Sequence, residues 1–165
     1  MNAKVQENNT KILNLLQEAV DAEKTSSNLY WARSVFWRSV GLFRLADYYL
    51  AQSQEDHAQR SADRMAFLGR QPVVVAGGID ANDEPDLAEQ FRVDLQIEIL
   101  LANQYANNIK VAEEEGDYVT RQVWLEVMTG TQEHVAWLQK QLKLIDMMGS
   151  DNYLSTWHSD KDILL

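Results

Sequence analysis

The amino-acid sequence predicts an all-α fold: an antiparallel four-helix bundle with one long crossover and a short C-terminal helix. The chain has 165 residues, 45% of them apolar, which is enough to build one core. Only two prolines and seven glycines interrupt it, which favours a few long helices over many short strands. Apolar residues recur at three- and four-residue spacing, the period of an amphipathic helix. We therefore expect a single domain over residues 1–165.

The first two helices are predicted to form an antiparallel pair. The first spans about residues 8–39, and Gly41 marks the turn after it. The second follows over residues 42–68 and stops at Gly69, with Pro72 beyond it as a stop signal. Because the turn between the two helices is short, they are expected to lie side by side.

A long connection is predicted over residues 71–84, between the second and third helices. Gly77 and Gly78 interrupt it, and its three valines at 73–75 either form a short strand or pack against the helices. Its length lets the chain cross the bundle from end to end before the third helix begins.

The third helix is predicted to begin after a cap at Asn82 or Asp83, with Pro85 in its first turn, and to run to Glu115. Gly116 ends it.

The fourth helix is predicted to be capped by Asp117 and to run to Met148. In the tail beyond it, Tyr153, Leu154 and Trp157 are expected to anchor a short fifth helix.

Composition excludes several classes of protein. The absence of cysteine excludes a disulfide scaffold, a thiolate metal site and a cysteine nucleophile. The net charge of −10 is the opposite of what a free-standing nucleic-acid binder carries, and it attracts cations. No apolar run reaches the roughly 18–20 residues of a membrane span. We therefore expect a cytoplasmic protein with metal cations as partners and no nucleic-acid or membrane partner.

Four polar side chains stand on faces that are otherwise apolar. Glu98 interrupts the apolar stripe of the third helix, and His134 lies close to that of the fourth. Glu23 and His57 stand on the first and second helices. One carboxylate and one imidazole from each helix pair form a typical ligand set for iron, manganese or zinc. The alternative is that these side chains are solvated or hydrogen-bond one another across the core.

The sequence resembles the bacterioferritins and, more broadly, the ferritins. The segments that carry the resemblance lie in all four predicted helices. The best match covers the fourth helix and the tail after it, at residues 116–121, 133–138, 144–146, 148–149 and 152–154. The other matches are Glu23, Asn28, Tyr30 and Gly41 in and after the first helix, Arg60, Arg64, Phe67, Leu68 and Pro72 in and after the second, and Asp94, Leu95 and Glu98 in the third. The resemblance implies a ferritin-like bundle assembled into a 24-subunit cage that stores iron. It also implies a di-iron centre that oxidises Fe(II), built from one Glu on each of helices one and three and a Glu-x-x-His motif on each of helices two and four.

In the family, the Glu of each Glu-x-x-His motif bridges the two metal ions, and this sequence departs from the pattern at both of these bridging positions. Three residues before His134 stands Thr131, and three residues before His57 stands Gln54, where the family has Glu. Two dications a few ångströms apart need such negative bridges. Glu23, His57, Glu98 and His134 would therefore hold one metal ion, or two weakly, in a degenerate site.

The register of the second helix is left open by the residues. Counting back from Pro72 places His57 inward, which we favour, whereas counting forward from Gly41 places Asp56 and Gln59 inward. The haem-ligating position of the family falls on Glu55 in the first register, so haem is not expected, and on His57 in the second.

Three functions follow as hypotheses. The first is a bacterioferritin-like subunit of an iron-storage cage with an impaired oxidation centre, in a homo-oligomer or mixed with an active ferritin subunit. The second is a ferritin-like redox protein with a mononuclear or atypical metal site. The third is a metal-free structural or partner subunit. Non-haem iron is the expected metal, and no catalytic residue is assigned.

Overall fold

The secondary structure of the described residues consists of helices joined by turns and irregular segments. The computed structural model describes residues 3–55, 57–74 and 86–158, and within these ranges there are six helices and no strand: α1 (Ala3–Ser39), α2 (Phe43–Ser53), α3 (His57–Phe67), α4 (Leu87–Glu114), α5 (Tyr118–Met148) and α6 (Ser150–Ser155). The predicted all-α fold class is confirmed. No helix in these ranges has an apolar stretch long enough to cross a membrane.

These helices belong to two compact units, each with its own core. Unit 1 comprises Met1–Lys24, Asp56–Ala76 and Glu98–His134, and unit 2 comprises Thr25–Glu55, Gly77–Ile97 and Val135–Leu165. Each unit contains a segment of α1, α4 and α5, and the fourth helical segment is α3 in unit 1 and α2 in unit 2. That the chain is a single domain stays a prediction.

Unit 2 is built around a cluster of aromatic side chains. Tyr48 stacks on Trp137 with ring centroids 4.4 Å apart, and Phe91 meets Trp137 edge to face at 5.6 Å. Such pairs add stabilisation beyond the area that they bury. α1 and α2 pack as the predicted antiparallel pair, because Arg38 binds Asp47 at 2.6 Å near the turn while the earlier Ser27 donates to the later Ser53 at 2.6 Å.

A buried polar network joins α1, α2 and α4 within unit 2. Arg33 forms an ion pair with Asp94, and Tyr49 donates its hydroxyl to the same carboxylate at 3.1 Å. The Trp37 indole donates to the side-chain oxygen of Gln90 at 2.9 Å. All five residues are buried, so their polar atoms depend on one another for the hydrogen bonds that water would otherwise make.

Unit 1 has a core of mixed aliphatic and aromatic side chains. Leu16, Met65 and Trp124 are fully buried there. α3 runs antiparallel to α5, because Arg60 binds Glu126 at 2.8 Å while Arg64, one turn further along α3, donates to the earlier Thr120 at 2.8 Å. α4 and α5 are likewise antiparallel neighbours in this unit, since Arg121 lies 3.6 Å from Glu113 and His134 lies 3.1 Å from Glu98.

The predicted second helix, residues 42–68, is wrong in one respect: it is interrupted between Ser53 and His57. Ser27 donates its hydroxyl to the Ser53 carbonyl at 2.6 Å, the acceptor that a continuous helix would offer to the N–H four residues later. At the break, Gln54 N–H bonds back only three residues to Ala51. The two registers counted from Gly41 and from Pro72 disagree for this reason: a helix break lies between them.

Aspartates cap α4 and α5. The Asp117 carboxylate accepts the Thr120 N–H at 3.0 Å, which confirms the predicted cap of α5. Burial raises the pKa of Asp117, but hydrogen bonds from Thr120 and the Arg64 guanidinium outweigh burial and hold it below 3.8. α4 begins at Leu87 behind Asp86, whose carboxylate accepts the Ala88 N–H at 2.9 Å.

The predicted cap at Asn82 or Asp83, with Pro85 in the first turn, lies outside the described residues. Of the crossover valines, Val73 and Val74 are exposed and not in a strand. The helix ends at Gly116 and Gly149 are confirmed, since both glycines have positive φ values of 73° and 79°, a backbone conformation that favours glycine.

We predict that the Arg33–Asp94 ion pair matters greatly for stability. The Asp94→Ala variant leaves a guanidinium charge buried without its partner, so the free energy of unfolding should fall by about 3–5 kcal/mol. The control is Asp47→Ala, which breaks an ion pair in the same unit whose side chains are 47% and 67% exposed, and it should change stability by less than about 1 kcal/mol. Urea unfolding followed by circular dichroism measures both, and equal effects would contradict the prediction.

Candidate metal centre

The four predicted metal ligands all lie in unit 1 and form two pairs. Glu23 of α1 faces His57, the first residue of α3, with Nδ1 3.8 Å from the carboxylate oxygen Oε2. Glu98 of α4 faces His134 of α5, with Nδ1 3.1 Å from Oε1. Each predicted carboxylate therefore has a predicted imidazole beside it, and each imidazole turns the same nitrogen, Nδ1, to its carboxylate.

Burial explains why the pairs form. The side chains of Glu98 and Glu23 are only 7% and 10% exposed, and a carboxylate removed from water needs a hydrogen-bond donor or a cation. His134 supplies that partner to Glu98 from the neighbouring helix. The arrangement thus follows from placing acids on apolar faces, whether or not a metal ion is bound.

Tyr105 is a member of the site that the sequence analysis missed. Its buried hydroxyl donates to Oε1 of Glu23 at 2.7 Å. Burial, and then the negative charges of Glu23 and Glu98, raise the pKa of Tyr105 far above its ordinary value, so it stays a neutral donor. One signal could have found it: Tyr105 follows Glu98 by seven residues, two helical turns, and so lies on the same face of α4.

The structure follows the register that places His57 inward. Gln59, which the other register placed on the inner face, is exposed and donates to Asp63 at 2.7 Å. Asp56 lies outside the described residues. Glu55, which stands at the family's haem-ligating position in this register, is exposed. That the chain binds no haem stays a prediction.

Neither position that the resemblance assigns to a bridging Glu carries an acid in this chain. Thr131 is 1% exposed, and its hydroxyl donates to the Val127 carbonyl of its own helix at 3.1 Å. Gln54 is exposed at the break after α2. The neighbouring acid Glu133 is also exposed, and α5 is an uninterrupted α-helix over Tyr118–Met148, so no local rewinding turns Glu133 toward the pairs.

The donor types at the two pairs are those that first-row divalent metals accept, namely carboxylate oxygen and imidazole nitrogen. Each pair offers one of each. Across residues 3–55, 57–74 and 86–158, no group of three or more His, Cys, Asp or Glu side chains is placed to hold a metal ion. Each pair, taken alone, therefore offers a divalent cation two protein ligands.

Residues 13–148 match the ferritin-like domain of the ferritin family. The chain belongs to the ferritin family. Proteins of this family bind iron and form oligomeric cages. The predicted resemblance and the ferritin-like bundle are thereby confirmed.

The similarity to named bacterial ferritins and bacterioferritins covers most of this ferritin-family chain. It is 28% identical over 148 residues to the bacterial ferritin of Neisseria meningitidis serogroup B, covering 88% of this chain and 95% of that protein. It is 29% identical over 144 residues to the bacterioferritin of Mycobacterium bovis, covering 86% and 90%. It is 26% identical over 148 residues to the bacterioferritin of Streptomyces coelicolor, covering 88% of each.

We predict that Tyr105 stabilises the site before any metal binds. In Tyr105→Phe the largely buried Glu23 carboxylate, whose side chain is 10% exposed, loses a hydrogen-bond donor, so the free energy of unfolding of the metal-free protein should fall by about 1–3 kcal/mol. The matched control is Tyr118→Phe in the same unit, where Tyr118 is 68% exposed and the change should stay within about 0.5 kcal/mol. Urea unfolding compares the two, and a neutral Tyr105→Phe would refute the role.

Proposed function

We propose that this chain is a subunit of a ferritin cage that stores iron and whose oxidation centre holds one iron ion instead of two. The family match over residues 13–148 supports the storage role. The observation that carries the single-ion centre is Thr131, a buried neutral side chain bonded to its own helix where the family pattern has a bridging Glu. Gln54 is the second neutral replacement.

Charge decides between one ion and two. Two dications about 4 Å apart repel by about 16 kcal/mol at an effective dielectric constant of about 20, four times the value for unit charges. Glu23 and Glu98 supply two negative charges against four positive ones, and Thr131 and Gln54, which stand where the family pattern has Glu, supply none. One Fe(II) ion, in contrast, is neutralised by the same two carboxylates.

The chain's own residues define what such a site does. In this proposal the Fe(II) cargo binds at a carboxylate–imidazole pair, through Glu23 with Nδ1 of His57 or Glu98 with Nδ1 of His134, and water completes its coordination. Tyr105 holds the Glu23 carboxylate in place. Reducing dioxygen to hydrogen peroxide takes two electrons, whereas one Fe(II) supplies one. We therefore propose slow iron oxidation, with this chain contributing to storage through assembly and mineral deposition, alone or mixed with an active ferritin subunit.

A metal-free partner subunit is the second candidate, and one observation favours it. His134 lies at hydrogen-bond distance from Glu98, 3.1 Å, and Tyr105 donates to Glu23 at 2.7 Å. These contacts satisfy the buried carboxylates without any cation. In this case the two pairs serve the stability of unit 1 alone.

The first experiment measures the native mass and the metal content of protein expressed in iron-rich medium. We expect a cage-sized assembly that carries iron, because the ferritin fold assembles and an acidic chain attracts cations. A cage without iron, under conditions where an active bacterioferritin loads, would favour the metal-free subunit. A monomer or dimer under all conditions would refute the storage role.

The second experiment restores one bridge. Thr131→Glu places a carboxylate on the face of α5 that carries His134, so a second iron ion can bind. We expect the initial rate of Fe(II) oxidation, followed by the absorbance of the ferric product, to rise about tenfold, equal to about 1.4 kcal/mol off the barrier.

The control for this experiment is Gln132→Glu, which adds the same charge at an exposed position beside Thr131. It should leave the rate unchanged, because its carboxylate faces solvent. An equal gain in both variants would mean that overall charge, and not a missing bridge, limits oxidation.

A further inference from the structure

One glycine of the described chain stands inside a helix. Gly130 lies in the middle of α5, whereas Gly41, Gly69, Gly116 and Gly149 have positive φ values at turns or helix ends. Glycine weakens a helix interior relative to alanine, because it loses more conformational freedom on folding. A glycine at such a position therefore calls for a packing reason.

The reason is the imidazole of His57. A methyl group built on Gly130 would lie 3.1 Å from Nε2 and 3.4 Å from Cε1 of that ring. Ordinary contacts between non-bonded heavy atoms lie at about 3.5–4.0 Å. The ring thus packs directly against the bare backbone of α5, in space that a side chain at position 130 would occupy.

This contact orients the ring. The Nε2–Cε1 edge of His57 meets α5 at Gly130, and Nδ1, which is bonded to the same Cε1, faces Glu23 at 3.8 Å. α3 begins at His57 itself, right after the helix break, so no earlier turn of α3 supports the ring. The backbone of α5 at Gly130 supports the ring instead.

We propose that Gly130 is a positioning residue of the metal centre: its missing side chain lets His57 lie against α5 and present Nδ1 toward Glu23. The inference rests on the proposed function, in which this pair binds a divalent first-row metal. A side chain at position 130 pushes the ring by a few tenths of an ångström, and metal–ligand distances tolerate only about 0.2 Å. His57 is 23% exposed, so the ring can yield toward water without unfolding the unit.

The test is a double-mutant cycle with Co(II) as the probe. The metal-free full-length protein, Gly130→Ala, His57→Gln and the double variant are titrated with Co(II), and the visible absorption bands of the bound ion report affinity and coordination. We expect Gly130→Ala to weaken Co(II) binding about tenfold, the usual effect of disturbing a group that orients a ligand. In the His57→Gln background the same change should have no effect, because Gly130 acts through the ring.

Thermal unfolding separates positioning from damage to the fold. Alanine is the better helix former, so the Tm of metal-free Gly130→Ala should equal or exceed that of the wild type while its affinity falls. Gln132→Ala, at an exposed position two residues along α5, is the matched control and should change neither quantity.

Three outcomes would overturn the inference. Wild-type affinity in Gly130→Ala would show that the ring position does not depend on the glycine. An equal loss in both backgrounds would show that Gly130 acts elsewhere. A wild-type protein that binds no Co(II) would remove both this role and the proposed metal centre, whereas the cage and its iron content are decided separately by native mass and metal analysis.

Discussion

Every carboxylate that this fold takes out of water has to be paired inside it, and the pairing determines much of the structure. In unit 2, Asp94 is fully buried and meets Arg33 from α1. In unit 1, Glu98 is buried against His134, and Glu23 accepts the hydroxyl of a buried tyrosine. Each pair joins two different helices, so the same contacts that neutralise the acids also hold neighbouring helices together.

The same constraint links the fold to iron. A buried acid beside an imidazole can be satisfied by that imidazole or by a cation bound to both. The choice between one cation and two depends on how many negative charges face the site, because repulsion between two dications far exceeds the contribution of any single hydrogen bond. Thr131 and Gln54 matter for that reason. They carry no negative charge at the positions where the family pattern has Glu, and both carboxylate–imidazole pairs are still present.

Much of the fold could be predicted because its signals are local. Helical periodicity, glycine at the ends of α4 and α5, and Asp117 as a cap depend on a few neighbouring residues. The break after Ser53 could not, because the contact made there, from the Ser27 hydroxyl to the Ser53 carbonyl, joins residues 26 positions apart in the sequence. In the sequence the break is visible only indirectly, as two helix registers that disagree about whether His57 faces inward.

The sequence by itself determined the all-α class and the ferritin resemblance. It also predicted two acids and two imidazoles on apolar faces, and it has neutral residues at the two positions where the family pattern has a bridging Glu, since each is a matter of residue type and spacing. Only the tertiary structure decided which acid meets which imidazole, that Tyr105 donates to Glu23, and that the ring of His57 packs against Gly130. Those contacts join residues far apart in sequence on different helices, and helical periodicity gives the face of a residue but not its partner.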